Sequence, residues 1–314
     1  MSKLRLFASA IAGAGLLAAG AAHAEYPERA VSVMVPFGAG GGTDVPARFF
    51  AAEMEKILGQ NFVVSNVSGA GGTVGATQLS KAKADGYSLG FMPVGTTTTQ
   101  PHLKKTKYNV DSWAPICLVA QGPYYLNVAK NSPIKTVQDY IAKAKSGGLK
   151  FGGPGPGSIP HVTNMLLNQA LGINAKYIPV SGGGGKIAAE VNGGRIDATV
   201  WFSDFDSKYG YRAIALLNDQ RSKTHPNIPT MKEQGFDVSS FVWFGFFAPK
   251  GTPANVVSTL SGACGKAVAT ESFVNNMKKA KRLVRYMDTA EFTKFFRETY
   301  MKNGELLKKA GLVK

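Results

Sequence analysis

Four glycine-rich segments, each between an apolar strand-like run and a helix-like run, constrain this fold more than any other feature. They are Gly38–Asp44, Gly69–Val74, Gly155–His161 and Ser181–Lys186. The 37 glycines of the 314-residue chain cluster in such turns without a fixed period, which excludes a collagen-like chain. Strands that alternate with helices are typical of βαβ units. The sequence therefore predicts an α/β protein built on mostly parallel sheets.

Apolar runs and helical periodicity place the individual elements. We expect strands at residues 30–35, 61–66, 87–92, 117–120, 124–129, 149–152, 176–180, 197–202 and 213–217. Helices are expected at residues 43–58, 74–82, 136–145, 160–170 and 186–191, with a further helix near the C-terminus. Asp288 and Glu291 form a capping-box pattern at the start of that last helix.

The strand–turn–helix pattern restarts after about residue 120, which predicts two lobes of similar size. We expect lobe I to contain residues 25–122 and 247–314, including the C-terminal helices, and lobe II to contain residues 123–246. The chain would cross between them near residues 121–124 and 243–248. Ligands of open parallel sheets bind beyond the carboxyl ends of the strands. Two such ends that face each other predict a ligand cleft between the lobes.

Residues 1–24 have the pattern of a cleaved signal peptide. Lys3 and Arg5 precede a small apolar run, and Ala22-His23-Ala24 supplies an A-x-A cleavage site. An uncleaved membrane anchor is the alternative, but the run is rich in Ala and Gly and ends at that site. Since no other stretch reaches the roughly 18 apolar residues of a membrane span, we expect a soluble protein exported to the periplasm.

The chain is basic, with a formal charge of +16 that falls to +14 when Lys3 and Arg5 are removed. Nucleic acid is excluded by the export signal and by the absence of RNA-binding or zinc-finger motifs. The positive charge therefore favours an acidic small molecule, an acidic partner protein or an anionic membrane face as the binding partner. Two cysteines and four histidines exclude a Cys/His metal cage, and no cofactor is expected. Whether Cys117 and Cys264 form a disulfide stays open.

The glycine-rich turns predict anion binding. The first amides of a helix are unpaired and carry a partial positive charge, and glycine lets the backbone approach a ligand closely. Carboxylate, phosphate or sulfate is the expected ligand, while simple tight turns are the alternative. Neither Gly38-Ala39-Gly40 nor Gly69-Ala70-Gly71 completes a dinucleotide fingerprint, and Gly185-Lys186 lacks the rest of a P-loop.

Catalytic motifs are sparse. Ser158 and His161 lie three residues apart at a helix start, with Asp204 or Asp206 as a conceivable third member, so an exported serine hydrolase is an alternative function. A Gly-x-Ser-x-Gly elbow is absent from the sequence, which favours a binding protein. Asp44 is expected to cap a helix or to meet a ligand amine. Core packing is the default for the aromatic residues, although several follow strands and could enter the cleft; these are Phe37, Tyr124, Tyr125, Trp201, Phe202, Phe205 and Trp243.

An ordered series of motifs resembles the Bug/TctC family, the periplasmic receptors of tripartite tricarboxylate transporters. The series comprises residues 26–29, 35–44, 68–76, 85–89, 155–158 with His161, 229–236 and 248–253. It covers essentially the whole mature chain. The resemblance implies a two-lobed, type II-like Venus-flytrap receptor without catalysis, which binds a carboxylate through loop amides and bridging waters and delivers it to a membrane permease.

The expected ligand is an aromatic mono- or dicarboxylate or an aliphatic dicarboxylate, bound by a monomer. The resemblance and the loops together give the candidate ligand-binding residues Phe37, Gly38, Ala39, Gly40, Gly41, Gly42, Thr43, Asp44, Ala70, Gly71, Gly72, Thr96, Ser158, His161, Ser181, Gly182, Gly183, Trp201 and Asp204. Two segments, 180–185 and 201–204, differ from the family pattern and indicate a changed specificity. A receptor that signals through a sensor kinase, without transport, is a further alternative.

Overall fold

Two β-sheets organise the computed structural model, which describes residues 26–202, 205–280, 282–309 and 311–313, with the backbone alone at Phe205 and Ser207. The predicted signal peptide lies outside the described residues. The strands are β1 (Val31–Val35), β2 (Phe62–Asn66), β3 (Ser88–Pro93), β4 (Trp113–Pro123), β5 (Tyr125–Ala129), β6 (Lys150–Gly153), β7 (Lys176–Pro179), β8 (Ala198–Trp201), β9 (Tyr211–Leu216), β10 (Phe241–Pro249) and β11 (Val284–Met287).

Helices flank both sheets. They are α1 (Asp44–Leu58), α2 (Thr73–Leu79), α3 (Gln100–Leu103), α4 (Val137–Lys145), α5 (Ile159–Leu171), α6 (Gly184–Asn192), α7 (Phe205–Tyr209), α8 (Ala254–Ala269), α9 (Glu271–Lys279) and α10 (Thr289–Lys309). The capping box predicted for the last helix is present, since the amide of Glu291 donates to Asp288 Oδ1 at 2.9 Å. None of the helices within the described ranges is long and apolar enough to cross a membrane.

Both sheets are mixed. The six-stranded sheet has the order β11-β4-β10-β3-β1-β2, and the five-stranded sheet has the order β7-β6-β8-β5-β9. Parallel pairing, as the sequence predicts, joins β1 to β2 and β3, and β6 to β7 and β8. The two-lobed α/β architecture is confirmed, but antiparallel pairs at β4, β5 and β10 make the sheets less parallel than expected.

The antiparallel pairs follow from the path of the chain between the sheets. The chain leaves the first sheet at Pro123 and enters the second at Tyr125, and it returns to the first sheet at Phe241. The outgoing and returning strands lie side by side, with Phe241 opposite Pro123, so they necessarily run in opposite directions. The return segment expected near residues 243–248 lies inside β10, because nine consecutive residues there, mostly buried, form a central strand.

The core of the first sheet is aromatic. Trp243 and Phe247 of β10 pack against Phe292 and Phe296 of α10, with ring centroids 5.2–6.3 Å apart. Gly245 provides the space for this packing, since a Cβ atom there would lie 2.2 Å from the ring of Phe292. A disulfide between Cys117 and Cys264, whose Cα atoms are 6.7 Å apart, joins β4 to α8 behind the same sheet.

Candidate functional site

The glycine-rich loops of the two lobes face and touch one another. The position of a Cβ atom on Gly38 lies 3.7 Å from the backbone of Gly183, which belongs to the turn before α6. On the other side, Gln100 Nε2 donates to the carbonyl oxygen of Gly71 at 3.3 Å and to that of Pro156 at 2.9 Å. The Gly38–Gly183 and Gln100–Pro156 contacts join the lobes and enclose a cavity between them.

This cleft cavity has a volume of about 70 Å³. Nine of the predicted ligand-binding residues line it, namely Phe37, Gly38, Gly41, Gly42, Thr43, Thr96, Ser158, Gly183 and Trp201. The remaining lining residues are mostly apolar: Pro93, Gly95, Tyr124, Pro154, Ile159, Pro160, Gly184, Ile187, Phe202, Val242 and Phe244. None of these eleven residues was predicted as ligand-binding, although Tyr124 and Phe202 were among the aromatic residues that could enter the cleft.

Three helices begin at the cleft cavity. Thr43, Ser158 and Gly183 are the N-cap residues of α1, α5 and α6, and all three line it. The first turn of a helix presents unpaired amide donors and a partial positive charge. One helix of the first lobe and two of the second therefore make the cavity favourable for an anion.

Ser158 and Trp201 bring polar side chains to the cavity wall. The hydroxyl of Ser158, which is 3% exposed, lies 3.2 Å from both the Pro154 carbonyl oxygen and the Tyr177 hydroxyl. The indole nitrogen of Trp201 is buried and has no hydrogen-bond partner among the residues that the structure describes. A buried donor without an acceptor costs free energy until it meets one, so the Trp201 indole is suited to an oxygen-rich ligand. The Ser158 hydroxyl already donates to the Pro154 carbonyl oxygen.

Asp44 stabilises the first loop instead of facing the cavity. Its carboxylate accepts hydrogen bonds from the amide of Gly40 at 2.8 Å, from Arg48 Nε at 2.9 Å and from Asn66 Nδ2 at 2.8 Å. Burial opposes ionisation, but the hydrogen bonds from Arg48, Asn66 and Gly40 outweigh it and lower the pKa of Asp44. Asp44 is thus a fixed anion that shapes the loop on which three cavity-lining glycines lie.

Ser158 and His161 do not form the pair that a serine hydrolase requires. His161 Nδ1 accepts the amide hydrogen of Gly157 at 2.9 Å, and its ring packs on Tyr177. Burial lowers the pKa of His161, which favours the neutral ring in this acceptor role. His161 therefore supports the turn before α5 and is not among the cavity-lining residues.

Several other predicted residues do not line the cavity. Gly72 among them allows close packing, since a Cβ atom there would lie 2.4 Å from Thr96 Oγ1 and 3.3 Å from the Phe37 ring. The amides of Gly40, Gly41 and Gly72 are bonded within their own loops. Outside the lining are Ala39, Gly40, Ala70, Gly71, Gly72, Ser181 and Gly182. Asp204 lies outside the described residues.

Within the described part of the chain, no group of three or more His, Cys, Asp or Glu side chains is placed to hold a metal ion. The donors at the cavity are amides, hydroxyls and an indole N–H, which are groups that bind anions.

Comparisons with a family model, with related sequences and with solved structures all indicate the same family. The model of the "Tripartite tricarboxylate transporter family receptor" matches residues 46–312. A UPF0065 protein in the gbd 5' region of Cupriavidus necator is 32% identical over 98% of this chain and 95% of its own length. The periplasmic binding protein BugD superimposes with a TM-score of 0.85 at 31% identity, covering 92% of this chain and 99% of BugD.

Two further solved structures contain ligands. MatC from Rhodopseudomonas palustris, solved with bound malate, has a TM-score of 0.84 and 28% identity over 90% of this chain and 100% of its own. Rpa4515 from R. palustris, solved with adipate, has a TM-score of 0.84 and 25% identity over 92% of this chain and 99% of its own. The family match, the relatives and the shared fold together show that this chain belongs to the Bug/TctC family of tripartite tricarboxylate transporter receptors.

Proposed function

We propose that this protein is a periplasmic solute receptor that captures a small organic carboxylate between its lobes and delivers it to the permease of a tripartite tricarboxylate transporter. The convergence of three helix N-termini on one interlobe cavity is the observation that carries the proposal. Such a site stabilises negative charge without placing a lysine or arginine in the wall of the cleft cavity.

The ligand class follows from the walls and from the relatives. Phe37, Tyr124, Trp201 and Phe244 surround the cavity with aromatic surface, which suits an apolar or aromatic carbon skeleton. The bound malate of MatC and the adipate of Rpa4515 are both dicarboxylates. Aromatic mono- or dicarboxylates and aliphatic dicarboxylates are therefore the ligands to test first.

Binding is coupled to closure of the lobes. The hydrogen bond from Gln100, which follows β3 of the first sheet, to Pro156, which follows β6 of the second, exists only while the lobes are together. A ligand that bridges the N-terminus of α1 and the N-termini of α5 and α6 stabilises this closed form, because it contacts both lobes at once. The permease would then recognise the closed, loaded receptor.

A thermal-shift screen of the purified protein tests the proposal. The panel contains aromatic acids, aliphatic di- and tricarboxylates, amino acids and phosphate, and is run after unfolding and refolding to remove any bound acid. A ligand at about 100 times its dissociation constant adds about 2.7 kcal/mol and raises the melting temperature by several degrees. Flat melting curves across all carboxylates would refute the proposed function.

Ser158→Ala tests the location of the site. We expect the dissociation constant of the best acid to rise about 3- to 10-fold, since one hydrogen bond is lost, while the ligand-free melting temperature changes little. Ser146→Ala, at the exposed end of α4, is the matched control and should bind as the wild type does. Unchanged affinity in the Ser158 variant would remove that hydroxyl from the site. Covalent labelling of Ser158 by a sulfonyl fluoride would instead favour a hydrolase.

A further inference from the structure

The cleft cavity is small for a ligand site. Its volume of about 70 Å³ is less than half of the roughly 150 Å³ in which a protein interior accommodates benzene, and far below the roughly 300–1,000 Å³ of typical small-molecule sites. The lobes are already in contact around it, so this is the volume of a closed site. The residues that set this volume therefore decide which carboxylates the closed protein can hold.

Backbone contacts between the lobes leave the closed cavity little room to expand. A Cβ atom on Gly42 would lie 2.3 Å from the Phe202 ring, and one on Gly95 would lie 2.9 Å from Ile159 Cγ1. Both glycines belong to the first lobe and both of their partners to the second, and all four residues line the cavity. A ligand that is longer than the cavity therefore has to open the lobes or displace a side chain of the wall.

Trp201 has the largest of the described side chains in the cavity wall, and it lies at a helix N-terminus. It is 6% exposed, at the end of β8. Its six-membered ring covers the first residue of α6, since a Cβ atom on Gly184 would lie 2.6 Å from Trp201 Cη2 and 2.8 Å from Cζ2. The indole thus fills the space beside one of the three helix N-termini that make the cavity favourable for an anion.

The neighbours of Trp201 hold its ring in place. The indole makes edge contacts with the rings of Phe202 and Tyr209, with ring centroids 5.3 and 5.0 Å apart. Its backbone is paired with Tyr125 in the sheet of the second lobe. Close-packed aromatic side chains resist displacement, because a shift of one ring forces its neighbours to move. Trp201 is therefore a fixed boundary of the cavity.

We infer that Trp201 sets the upper size limit of the ligand, so that the protein takes short aliphatic carboxylates of about two to four carbon atoms in preference to aromatic or longer acids. The inference rests on the proposed function and narrows its ligand classes. The carboxylate lies at the helix N-termini, and the indole ends the space that is left for the rest of the molecule.

Calorimetric titration with straight-chain mono- and dicarboxylates of two to eight carbon atoms, and with benzoate, tests this limit. We expect the tightest binding at four carbon atoms or fewer, and dissociation constants about tenfold higher or more for six-carbon acids and for benzoate, because overpacking opposes their binding. In Trp201→Ala, each methylene added up to six carbon atoms should instead tighten binding about threefold to fourfold, as burial of apolar surface predicts. Loss of the indole N–H affects all acids alike, so the ratio of long to short acids is the readout.

Trp201→Phe keeps the test decisive where the alanine variant fails to fold. Its side chain is one ring smaller, so the disadvantage of six-carbon acids should fall about threefold. Trp113→Phe is the matched control. Trp113 is 5% exposed, its indole nitrogen likewise has no hydrogen-bond partner among the described residues, and it packs on Tyr108 and Phe247 without lining the cavity. This control should lower the melting temperature and leave the preferred chain length unchanged.

The outcomes separate the two proposals. A wild type that binds six-carbon acids or benzoate as tightly as short acids overturns the size limit and leaves the receptor function in place. An unchanged preferred length in the folded Trp201 variants does the same. Failure of the wild type to bind any carboxylate overturns the receptor function and this inference with it. A shift towards longer acids in the Trp201 variants, but not in Trp113→Phe, supports the inference.

Discussion

Gly42 of the first loop packs closely against the Phe202 ring of the second lobe. A Cβ atom on Gly42 would lie 2.3 Å from Phe202 Cε2 and 2.9 Å from Cζ. The backbone of Gly42 is not in the left-handed region, so alanine is tolerated there in conformational terms. Gly42→Ala therefore perturbs only the fit of the closed lobes against this ring.

The cost of Gly42→Ala can be estimated from the surroundings of Phe202. The ring is surrounded by Tyr124, Trp201, Phe244 and Arg282 and cannot move without disturbing them. Overpacking of this kind costs about 1–3 kcal/mol. Opening of the lobes relieves the clash, so the cost falls on the closed form alone. We expect ligand affinity to fall about 5- to 150-fold, at about 1.4 kcal/mol per tenfold change.

Calorimetric titration of the best carboxylate, together with melting of the ligand-free protein, tests this expectation. Gly185→Ala is the matched control, since a Cβ atom there meets nothing within 4 Å in the first turn of α6; it should bind normally and gain about 0.4–1 kcal/mol of stability. In a Phe202→Ala background, Gly42→Ala should have almost no effect. Wild-type affinity in Gly42→Ala would refute the reasoning, as would an equal loss in the double variant.

Three further predictions follow from other contacts. Gln100→Ala removes the side chain that bonds both Gly71 and Pro156, and should weaken ligand binding about 2- to 10-fold in titrations. Replacing Cys117 and Cys264 by Ala should lower the unfolding free energy by about 2–4 kcal/mol in urea melts; an unchanged midpoint would contradict this. The hydrogen bonds of Asp44 lower its pKa in the folded protein. The ionised carboxylate therefore stabilises the folded state fully above its unfolded-state pKa of about 4, and this contribution is lost as the pH falls through the lower pKa of the folded state. In urea melts between about pH 2 and 5, the unfolding free energy of Asp44→Asn should depend less on pH than that of the wild type.

The general architecture was predictable because its signals are local. A β-branched run such as Val31–Val35, a glycine turn and a helix start lie within about 15 residues of one another. The N-cap positions Thr43 and Ser158 follow from such signals, and both line the cleft cavity. Gly183 lines it too, but the helix that it caps begins at Gly184 and was expected only from residue 186. The strand Phe241–Pro249 was not predicted. Its nearly uninterrupted apolar sequence has no alternating period, and only pairing with the distant β3 and β4 makes it a strand.

The packing around Phe202 could not be predicted from such local signals. Phe202 meets Gly42 from 160 positions away in sequence and Arg282 from 80 away, and neither separation leaves a periodic pattern. The segments after β1 and β8 and before β11 bring these residues together, and only the pairing of distant strands in the two sheets places those segments side by side. Local rules thus specify an anion site, while long-range packing around Phe202 sets the fit of the two lobes around it. Variation at positions 42 and 202 should therefore alter ligand affinity through the closed form without altering the fold.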